Sequence, residues 1–158
     1  MKKIYVDTSV VGGCFDAEFH IASNALIEEF KTGKLQLIRS DVVFLELAPA
    51  RKEIRRHLKI VPDTNVIEVL VTPQAVSLAL RYIRYGTLLG NSYHDALHIA
   101  LATLNNADVI ASWNFKHMVN IDKIKMYNII NEYYGHPHIE IMSPTNILNT
   151  LYEKEKTL

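Results

Sequence analysis

Runs of strand length that are rich in apolar residues alternate with helical patterns, and this alternation constrains the fold more than any other feature of the sequence. The strand-like runs cover residues 3–10, 35–38, 66–71, 108–112 and 139–142. The helical patterns cover residues 23–31, 41–58, 73–84 and 92–104, and a short one starts at residue 145. Strands that alternate with helices form a parallel sheet with helices on both faces. The sequence therefore predicts a three-layer α/β/α fold with a mostly parallel sheet.

Prolines and a glycine mark several predicted helix ends. Pro73 suits the first turn of a helix, where its missing N–H would have no partner, and Gly86 ends that helix. Pro49 must kink or divide the helix that Asp41 is expected to cap, because proline cannot donate the backbone hydrogen bond that a helix interior needs.

No repeat, low-complexity linker or shift in composition divides the 158 residues. We therefore expect a single domain over residues 1–149 and a C-terminal tail over residues 150–158. The tail contains the alternating charges Glu153-Lys154-Glu155-Lys156, which are typical of a solvated, frayed end.

The composition indicates a soluble globular protein, with 49% apolar and 22% charged residues. Cys14 is the only cysteine, so no internal disulfide can form and a reducing compartment is expected. The first apolar run stops at Asp7, too early for a signal peptide, and no stretch approaches the ~18 apolar residues of a membrane span. The sequence predicts a cytoplasmic protein that does not bind membranes.

Positive charge is concentrated locally, because 17 basic residues balance 17 acidic ones over the whole chain. This balance lacks the strong basicity that is typical of nucleic-acid binders. Five basic residues nevertheless fall within nine positions: Arg51, Lys52, Arg55, Arg56 and Lys59. On one continuous helix, Arg51, Arg55 and Lys59 would share a face. That face would bind RNA phosphates, dock an acidic partner or simply be solvated.

Three acidic residues lie in apolar surroundings, where an isolated charge is costly. Asp7 ends the first strand, Glu46 lies inside an apolar helical run, and Asp95 lies one turn into the helix that Ser92 opens. Each has an ordinary alternative, as a turn or cap residue, a solvent-facing residue or an acid that complements a helix dipole. Carboxylates that meet in a dry site repel each other, and a divalent cation removes that conflict. Oxygen ligands without thiolates favour Mg²⁺ or Mn²⁺ over zinc.

Two further polar residues lie close to these acids in the predicted topology. Ser9 follows Asp7 by two positions and could bind a metal-held water or a phosphate oxygen. Asn114 follows the strand-like run 108–112 by two positions, and its carbonyl oxygen could hold a metal-bound water. An ordinary turn serine and an ordinary loop asparagine are the alternatives.

Four segments together resemble a known family, and their order and spacing carry the resemblance over residues 2–149. The family is that of the PIN (PilT N-terminus) domain nucleases, many of which are VapC-type toxins of toxin–antitoxin pairs. The segments are Ile4-Tyr5-Val6-Asp7-Thr8-Ser9, Phe44-Leu45-Glu46-Leu47, His94-Asp95-Ala96-Leu97-His98-Ile99-Ala100 and Ala111-Ser112-Trp113-Asn114-Phe115.

The resemblance implies an endoribonuclease that uses Mg²⁺ or Mn²⁺ to hydrolyse phosphodiester bonds by in-line attack of water. It assigns Asp7, Glu46 and Asp95 to the metal and Ser9 to the neighbouring hydroxyl. The family often has a fourth acid where this chain has Asn114, so a second metal ion is expected to bind mainly together with RNA. It also implies a homodimer and a cognate antitoxin. Within the same resemblance, a PIN-fold protein that binds RNA or a partner without cutting remains the alternative.

Other chemistries fit the residues less well. His94 and His98 are four positions apart, a spacing that allows two imidazoles to share a metal, but the zinc-hydrolase pattern His-Glu-x-x-His has Asp95 in place of glutamate. We expect one of these histidines to bond near Asp95 and the other to pack. A phosphatase of the haloacid dehalogenase type would need an acid at position 9, where this chain has serine.

Overall fold

Five parallel strands form one sheet in the computed structural model, which describes all 158 residues. The strands are β1 (Lys3–Val6), β2 (Gln36–Ser40), β3 (Val66–Val69), β4 (Val109–Ala111) and β5 (Glu140–Met142). Their order in the sheet is β3-β2-β1-β4-β5, so that the first strand lies at the centre. The register pairs Tyr5 with Ile38 on one side and with Ile110 on the other.

Eight helices connect or flank the strands. They are α1 (Thr8–Gly13), α2 (His20–Lys31), α3 (Asp41–Leu47), α4 (Lys52–Arg55), α5 (Pro73–Arg84), α6 (Tyr93–Leu104), α7 (Ile121–Tyr133) and α8 (Pro144–Thr157). Short 3₁₀ turns cover His57–Ile60, Asp63–Asn65 and Gly90–Ser92. None of the helices combines the length and the apolar character that a membrane crossing requires.

The two faces of the sheet bury separate apolar clusters, because alternate residues of a strand point to opposite faces. Tyr5 belongs to a cluster of 22 buried residues that α5, α6 and α7 cover. Its neighbours Ile4 and Val6 belong to a cluster of 17 buried residues beneath α1, α2 and α8. The sheet is therefore the middle of three layers, and the predicted α/β/α fold is confirmed.

Local sequence signals account for the ends of several elements. The Thr72 side chain accepts a hydrogen bond from the Ala75 N–H and begins α5, with Pro73 as its first residue. Gly86 follows the helix with a φ of +78°, a conformation that glycine adopts without strain. These two ends lie where the sequence predicts them.

The first strand is shorter than predicted, since β1 ends at Val6 and α1 begins at Thr8. The reason is local: Asp7 adopts extended backbone angles and accepts a hydrogen bond from the Val10 N–H, which makes it the cap of α1. The predicted helix over residues 41–58 is likewise divided. Pro49 separates α3 from α4, and the remaining residues form a 3₁₀ turn.

The C-terminal residues that were expected to fray form the last turns of α8, which runs to Thr157. Tyr152 donates to Glu29 Oε1 at 3.5 Å, and Lys34 Nζ lies 3.2 Å from Glu155 Oε1. These contacts tie the last turns to α2 and the loop that follows it. Helix α7 was not predicted, because its buried Tyr127 and Ile130 alternate with exposed apolar residues and leave no clear stripe.

Candidate active site

The carboxyl ends of β1 and β4 meet at the centre of the sheet, where the direction of the strand connections reverses. The chain adds β2 and β3 on one side of β1 and then crosses to β4 on the other side. Ligands bind at such switch points in open α/β sheets. Asp7 follows β1 and Ser112 follows β4, and the Ser112 hydroxyl donates to Asp7 Oδ2 at 2.5 Å. The topology therefore brings polar residues 105 positions apart into contact at this point.

The Asp7 carboxylate is buried, with only 4% of the residue exposed, and all of its hydrogen-bond donors are neutral. Oδ1 accepts from the Ser9 hydroxyl at 2.6 Å and from the Val10 N–H at 3.3 Å, while Ser112 donates to Oδ2. Burial raises the pKa of the Asp7 carboxyl, although the positive field of His98 and these hydrogen bonds act in the opposite direction. An ionised Asp7 is therefore a costly charge that a nearby cation would stabilise.

Glu46 lies on α3 and is only half-buried, facing two histidines of α6. Its Oε1 accepts from the Thr8 hydroxyl at 2.8 Å and from His98 Nε2 at 2.5 Å, and His94 Nδ1 lies 3.7 Å from Oε2. Burial acts to raise the pKa of Glu46, but the combined effects of His98, Thr8 and His94 outweigh it, and the pKa is lowered. This carboxylate is thus favoured in its ionised form.

His98 is buried and connects Glu46 to the interior of the domain. Its Nδ1 lies 2.6 Å from the Tyr5 hydroxyl, which in turn lies 2.7 Å from the Ser40 hydroxyl. A carboxylate can only accept, so His98 Nε2 carries the hydrogen that Glu46 receives. Nδ1, on the other side of the ring, shares its hydrogen bond with the Tyr5 hydroxyl. Burial raises the pKa of the Tyr5 hydroxyl, which keeps it protonated as a donor.

Asp95 lies in the first turn of α6, where the helix dipole favours a negative charge. His117 Nδ1 lies 3.0 Å from Asp95 Oδ2, and the Ser92 hydroxyl lies 3.4 Å from the same His117 nitrogen. Asn114 Nδ2 donates to Asp95 Oδ2 at 3.4 Å. Asp95 is therefore held from one side by the loop that follows β4.

Asn114 links this loop to two of the acids. Its backbone N–H donates to the Ser112 hydroxyl at 3.0 Å, and that hydroxyl donates to Asp7. Its side-chain oxygen accepts from the N–H groups of Lys116 and His117, so the amide nitrogen faces Asp95. Asn114 thus connects Asp7 to Asp95 through hydrogen bonds, and a role in a metal shell stays a prediction.

Glu46 and Asp95 face the same open pocket of about 300 Å³, which is otherwise lined by Asn91, Ser92, Tyr93 and His94. As the side chains stand, no three His, Cys, Asp or Glu residues are gathered closely enough to hold a metal ion together. The donor chemistry nevertheless suits a hard cation, because the acids supply oxygen ligands and the buried Asp7 charge lacks a cationic hydrogen-bond partner. Convergence of Asp7, Glu46 and Asp95 on one ion stays a prediction.

The histidines are arranged differently from the sequence-based expectation. His94 and His98 both face Glu46, whereas the histidine beside Asp95 is His117. No periodic pattern marks His117 in the sequence, because it lies in an irregular loop between β4 and α7.

The basic cluster also departs from prediction. Helix α4 covers only Lys52–Arg55, so Arg51, Arg55 and Lys59 do not share one helical face. All three side chains are exposed on a short helix and the turns that flank it. We define residues 51–59 as the basic segment.

Comparison with known proteins agrees with this fold. The sequence model of the PIN domain family matches residues 4–117. No curated protein matches the chain.

Among solved structures, the Mycobacterium tuberculosis toxin VapC20, described as cleaving the sarcin–ricin loop, is similar at 16% identity and a TM-score of 0.56. The alignment covers 72% of this chain and 92% of VapC20. Rickettsia felis VapBC2, bound to a fragment of promoter DNA, aligns at 14% identity and a TM-score of 0.56, over 89% of this chain and 98% of that one. DNA-bound VapBC from Salmonella typhimurium aligns at 16% identity and a TM-score of 0.55, over 91% and 99%. At these identities the likeness establishes the fold.

Proposed function

Because this chain belongs to the PIN domain family, we propose that it is an endoribonuclease that uses Mg²⁺ or Mn²⁺ to hydrolyse phosphodiester bonds in RNA. One observation carries the proposal. The acid that follows the central strand, Asp7, lies at the switch point of the sheet and is linked through Ser112 and Asn114 to Asp95. A buried carboxylate whose hydrogen-bond donors are all neutral is well suited to a divalent cation.

Asp7, Glu46 and Asp95 are the residues that would hold the metal. When bound, the ion would lower the pKa of a water molecule and offset negative charge on the phosphoryl oxygens. The surrounding residues orient the acids. Ser9 and Ser112 fix Asp7, while hydrogen bonds from Thr8 and His98 fix Glu46. His117 and Asn114 do the same for Asp95.

The proposed reaction is an in-line displacement at phosphorus. The oxygen of a water molecule forms a bond to phosphorus as the bond from phosphorus to the leaving ribose oxygen breaks. The water gives up a proton to solvent, and the leaving ribose oxygen takes one from solvent to become a hydroxyl. No serine or cysteine nucleophile is needed. The protein positions the phosphodiester at the carboxyl edge of the sheet and balances the charge that develops there.

The solved VapBC complexes suggest the partners of this chain. We propose that it is the toxin of a toxin–antitoxin pair, bound by a cognate antitoxin and assembled as a homodimer. Val76, Leu80 and Ile83 form one apolar stripe on α5, where Val76 and Ile83 pack partly on the core while Leu80 is 48% exposed and available to a second copy. Light scattering should give about twice the 18.0 kDa chain mass at micromolar concentration. A mass equal to one chain would remove the dimer from the proposal.

A second candidate function is favoured by the histidines that face the acids. Glu46 and Asp95 already have imidazole partners, and no ready group of three metal ligands is present. A PIN-fold protein that binds RNA or a partner without cutting would accommodate that arrangement.

Cleavage of mixed RNA by the purified protein separates the two candidates. We expect cleavage with Mg²⁺ or Mn²⁺, no cleavage in chelator, and loss of cleavage in Asp7→Asn. The matched control is Asp108→Asn, because Asp108 is an exposed acid just before β4, at the opposite edge of the sheet, where it accepts from the Lys3 N–H. RNA binding without cleavage under either ion would contradict the nuclease and favour the second candidate.

A further inference from the structure

Trp113 is held beside the acids by three independent contacts. Its backbone N–H donates to the Ser9 hydroxyl at 2.9 Å, and that hydroxyl donates to Asp7. Its indole Nε1 donates to the Ser23 hydroxyl at 2.8 Å. A Cβ atom at Gly13 would lie only 2.7 Å from the same indole nitrogen, so the close approach depends on glycine. The indole is therefore fixed against α1 and α2, and its backbone is linked to Asp7 through Ser9.

Two further rings continue from Trp113 towards the surface. The Phe19 ring stacks on the indole at a centroid distance of 4.3 Å and an interplanar angle of 21°. Phe115 lies 6.4 Å from the indole and is 54% exposed, in the loop that also carries Asn114. A large exposed ring in an active-site loop leaves apolar area in water that a ligand could cover.

A fourth ring lies at the basic segment, two residues after the Gly13 that abuts the indole. Phe15 is 41% exposed and lies edge-to-face with His57, at a centroid distance of 4.9 Å. His57 directly follows Arg55 and Arg56, both of which are exposed. The four rings, Phe15, Phe19, Trp113 and Phe115, are called the aromatic group below. Trp113 is linked to Asp7 through the Ser9 hydroxyl, and Phe15 contacts His57 of the basic segment.

We propose that the aromatic group stacks unpaired bases of the RNA substrate while the basic segment neutralises phosphates of the same strand. Aromatic faces bind the faces of bases, and arginine side chains follow the backbone, in proteins that bind single strands. Bases inside a duplex are stacked on each other and cannot use such rings. The inference rests on the proposed function and assigns the base contacts beside the scissile bond to these four rings.

Binding to protein that cannot cut the RNA tests this inference directly. Full-length Asp7→Asn is titrated into an oligoribonucleotide of about 12 nucleotides, a length within the site sizes known for single-strand binders. The strand carries one 2-aminopurine, whose fluorescence is quenched on stacking, and is used alone or annealed to its complement. The added changes are Phe15→Leu and Phe115→Leu, which keep an apolar side chain but remove the aromatic face.

The matched control is Tyr133→Leu. Tyr133 is 78% exposed and ends α7, which runs back from the carboxyl edge of the sheet to the opposite edge. Tyr133→Leu therefore removes an exposed ring far from the acids.

Each phenylalanine change should weaken single-strand binding by roughly fivefold or more, the lower end of what a base–aromatic stack contributes. Quenching should fall as well, while the salt dependence should stay constant because no charge is removed. Binding of the duplex and the behaviour of Tyr133→Leu should not change. Phe115 lies in an exposed loop, so Phe115→Leu still decides the outcome if Phe15→Leu fails to fold.

Unchanged affinity and quenching in Phe115→Leu would overturn the inference, as would an equal loss for single strands and duplexes. If the rings bind a partner protein and not RNA, Phe115→Leu should leave RNA affinity and quenching unchanged. Failure of the proposed function gives a different result from failure of this inference. The unsubstituted protein would then leave RNA uncut, whatever the rings bind.

Discussion

The carboxylate of Asp7 and those of Glu46 and Asp95 lie in opposite kinds of environment. Asp7 is buried, and its donors are two hydroxyls and a backbone N–H. Glu46 and Asp95 border an open pocket and are faced by imidazoles. Burial raises the pKa of Asp7, whereas His98 lowers the pKa of Glu46. We call these the buried half and the open half of the site.

The difference indicates which half depends on a metal. In the open half, hydrogen bonds from Thr8 and His98 already stabilise the Glu46 carboxylate, so its ionised form is favoured without a cation. In the buried half, no cationic side chain bonds to Asp7, and ionisation there is costly. A cation is therefore expected to change the buried half most, and the following predictions test this contrast from the largest effect to the smallest.

Among residues other than the three acids, the largest effect is expected for the histidine that orients Glu46. His98→Leu removes the donor to Glu46 and the partner of the Tyr5 hydroxyl, so Mn²⁺ affinity and cleavage should fall roughly 10–100-fold, as for other outer-shell partners. His98→Gln, which retains an amide donor, should restore part of both. Calorimetry and cleavage rates provide the measurement. Equal losses in the two variants would mean that His98 acts through packing rather than by orienting Glu46.

In metal-free protein, removing the carboxylate charge should change the melting temperature in opposite directions in the two halves. Because the pKa of Asp7 is raised on folding, the stability it contributes in acid is lost as pH rises through the folded-state pKa. Asp7→Asn removes the cost of burying an ionised carboxylate. It should therefore melt higher than the unsubstituted protein at neutral pH in chelator, by about 2–4 °C for each kcal/mol of that cost. The gain should shrink as pH falls towards the ordinary aspartate value of about 4.

Glu46→Gln provides the counterpart in the open half. The pKa of Glu46 is lowered on folding, so its contribution is present above the unfolded-state pKa and is lost as pH falls through the folded-state pKa. This variant should melt lower than the unsubstituted protein at neutral pH, and the difference should vanish in acid. Thermal melts followed by circular dichroism across pH would show both trends. Shifts of the same sign in Asp7→Asn and Glu46→Gln would contradict the contrast.

A smaller effect is expected at Asn114, which joins the two halves. A carboxylate in Asn114→Asp would add a negative charge beside Asp95, so Mn²⁺ should bind more tightly without RNA. Asn114→Ala should harm cleavage less than Asp7→Asn, since an amide is a weaker ligand than a carboxylate. Calorimetric titration of the variants measures both. Unchanged Mn²⁺ affinity in Asn114→Asp would place residue 114 outside the metal shell.

The smallest effect is expected outside both halves, in the basic segment. Removing one phosphate contact by Arg55→Gln should reduce the slope of log affinity against log salt by about 0.7 for single-stranded RNA. Mn²⁺ affinity should not change, because Arg55 is exposed on α4 and takes no part in the acid network. An unchanged slope in Arg55→Gln combined with Arg51→Gln would remove the basic segment from RNA binding.

Local patterns predicted most of the fold, because strand runs, Pro73 and Gly86 act over a few residues. The strand-end position of Asp7 and the helical positions of Glu46 and Asp95 could also be read from the sequence. The contacts of Ser112 and His117 with these acids could not, because they depend on strand order and on an irregular loop. Helix α7 was missed for a related reason, since its exposed apolar residues hide the buried stripe.

Calorimetric titration of Mn²⁺ into the metal-free protein tests the central claim most directly. The account predicts a binding site that is lost or greatly weakened in Asp7→Asn, Glu46→Gln and Asp95→Asn, and retained in Asp108→Asn. Asp7→Asn should lose binding even though its fold is more stable, which separates loss of a ligand from loss of structure. Mn²⁺ binding that is equal in Asp7→Asn and in the unsubstituted protein would contradict the account.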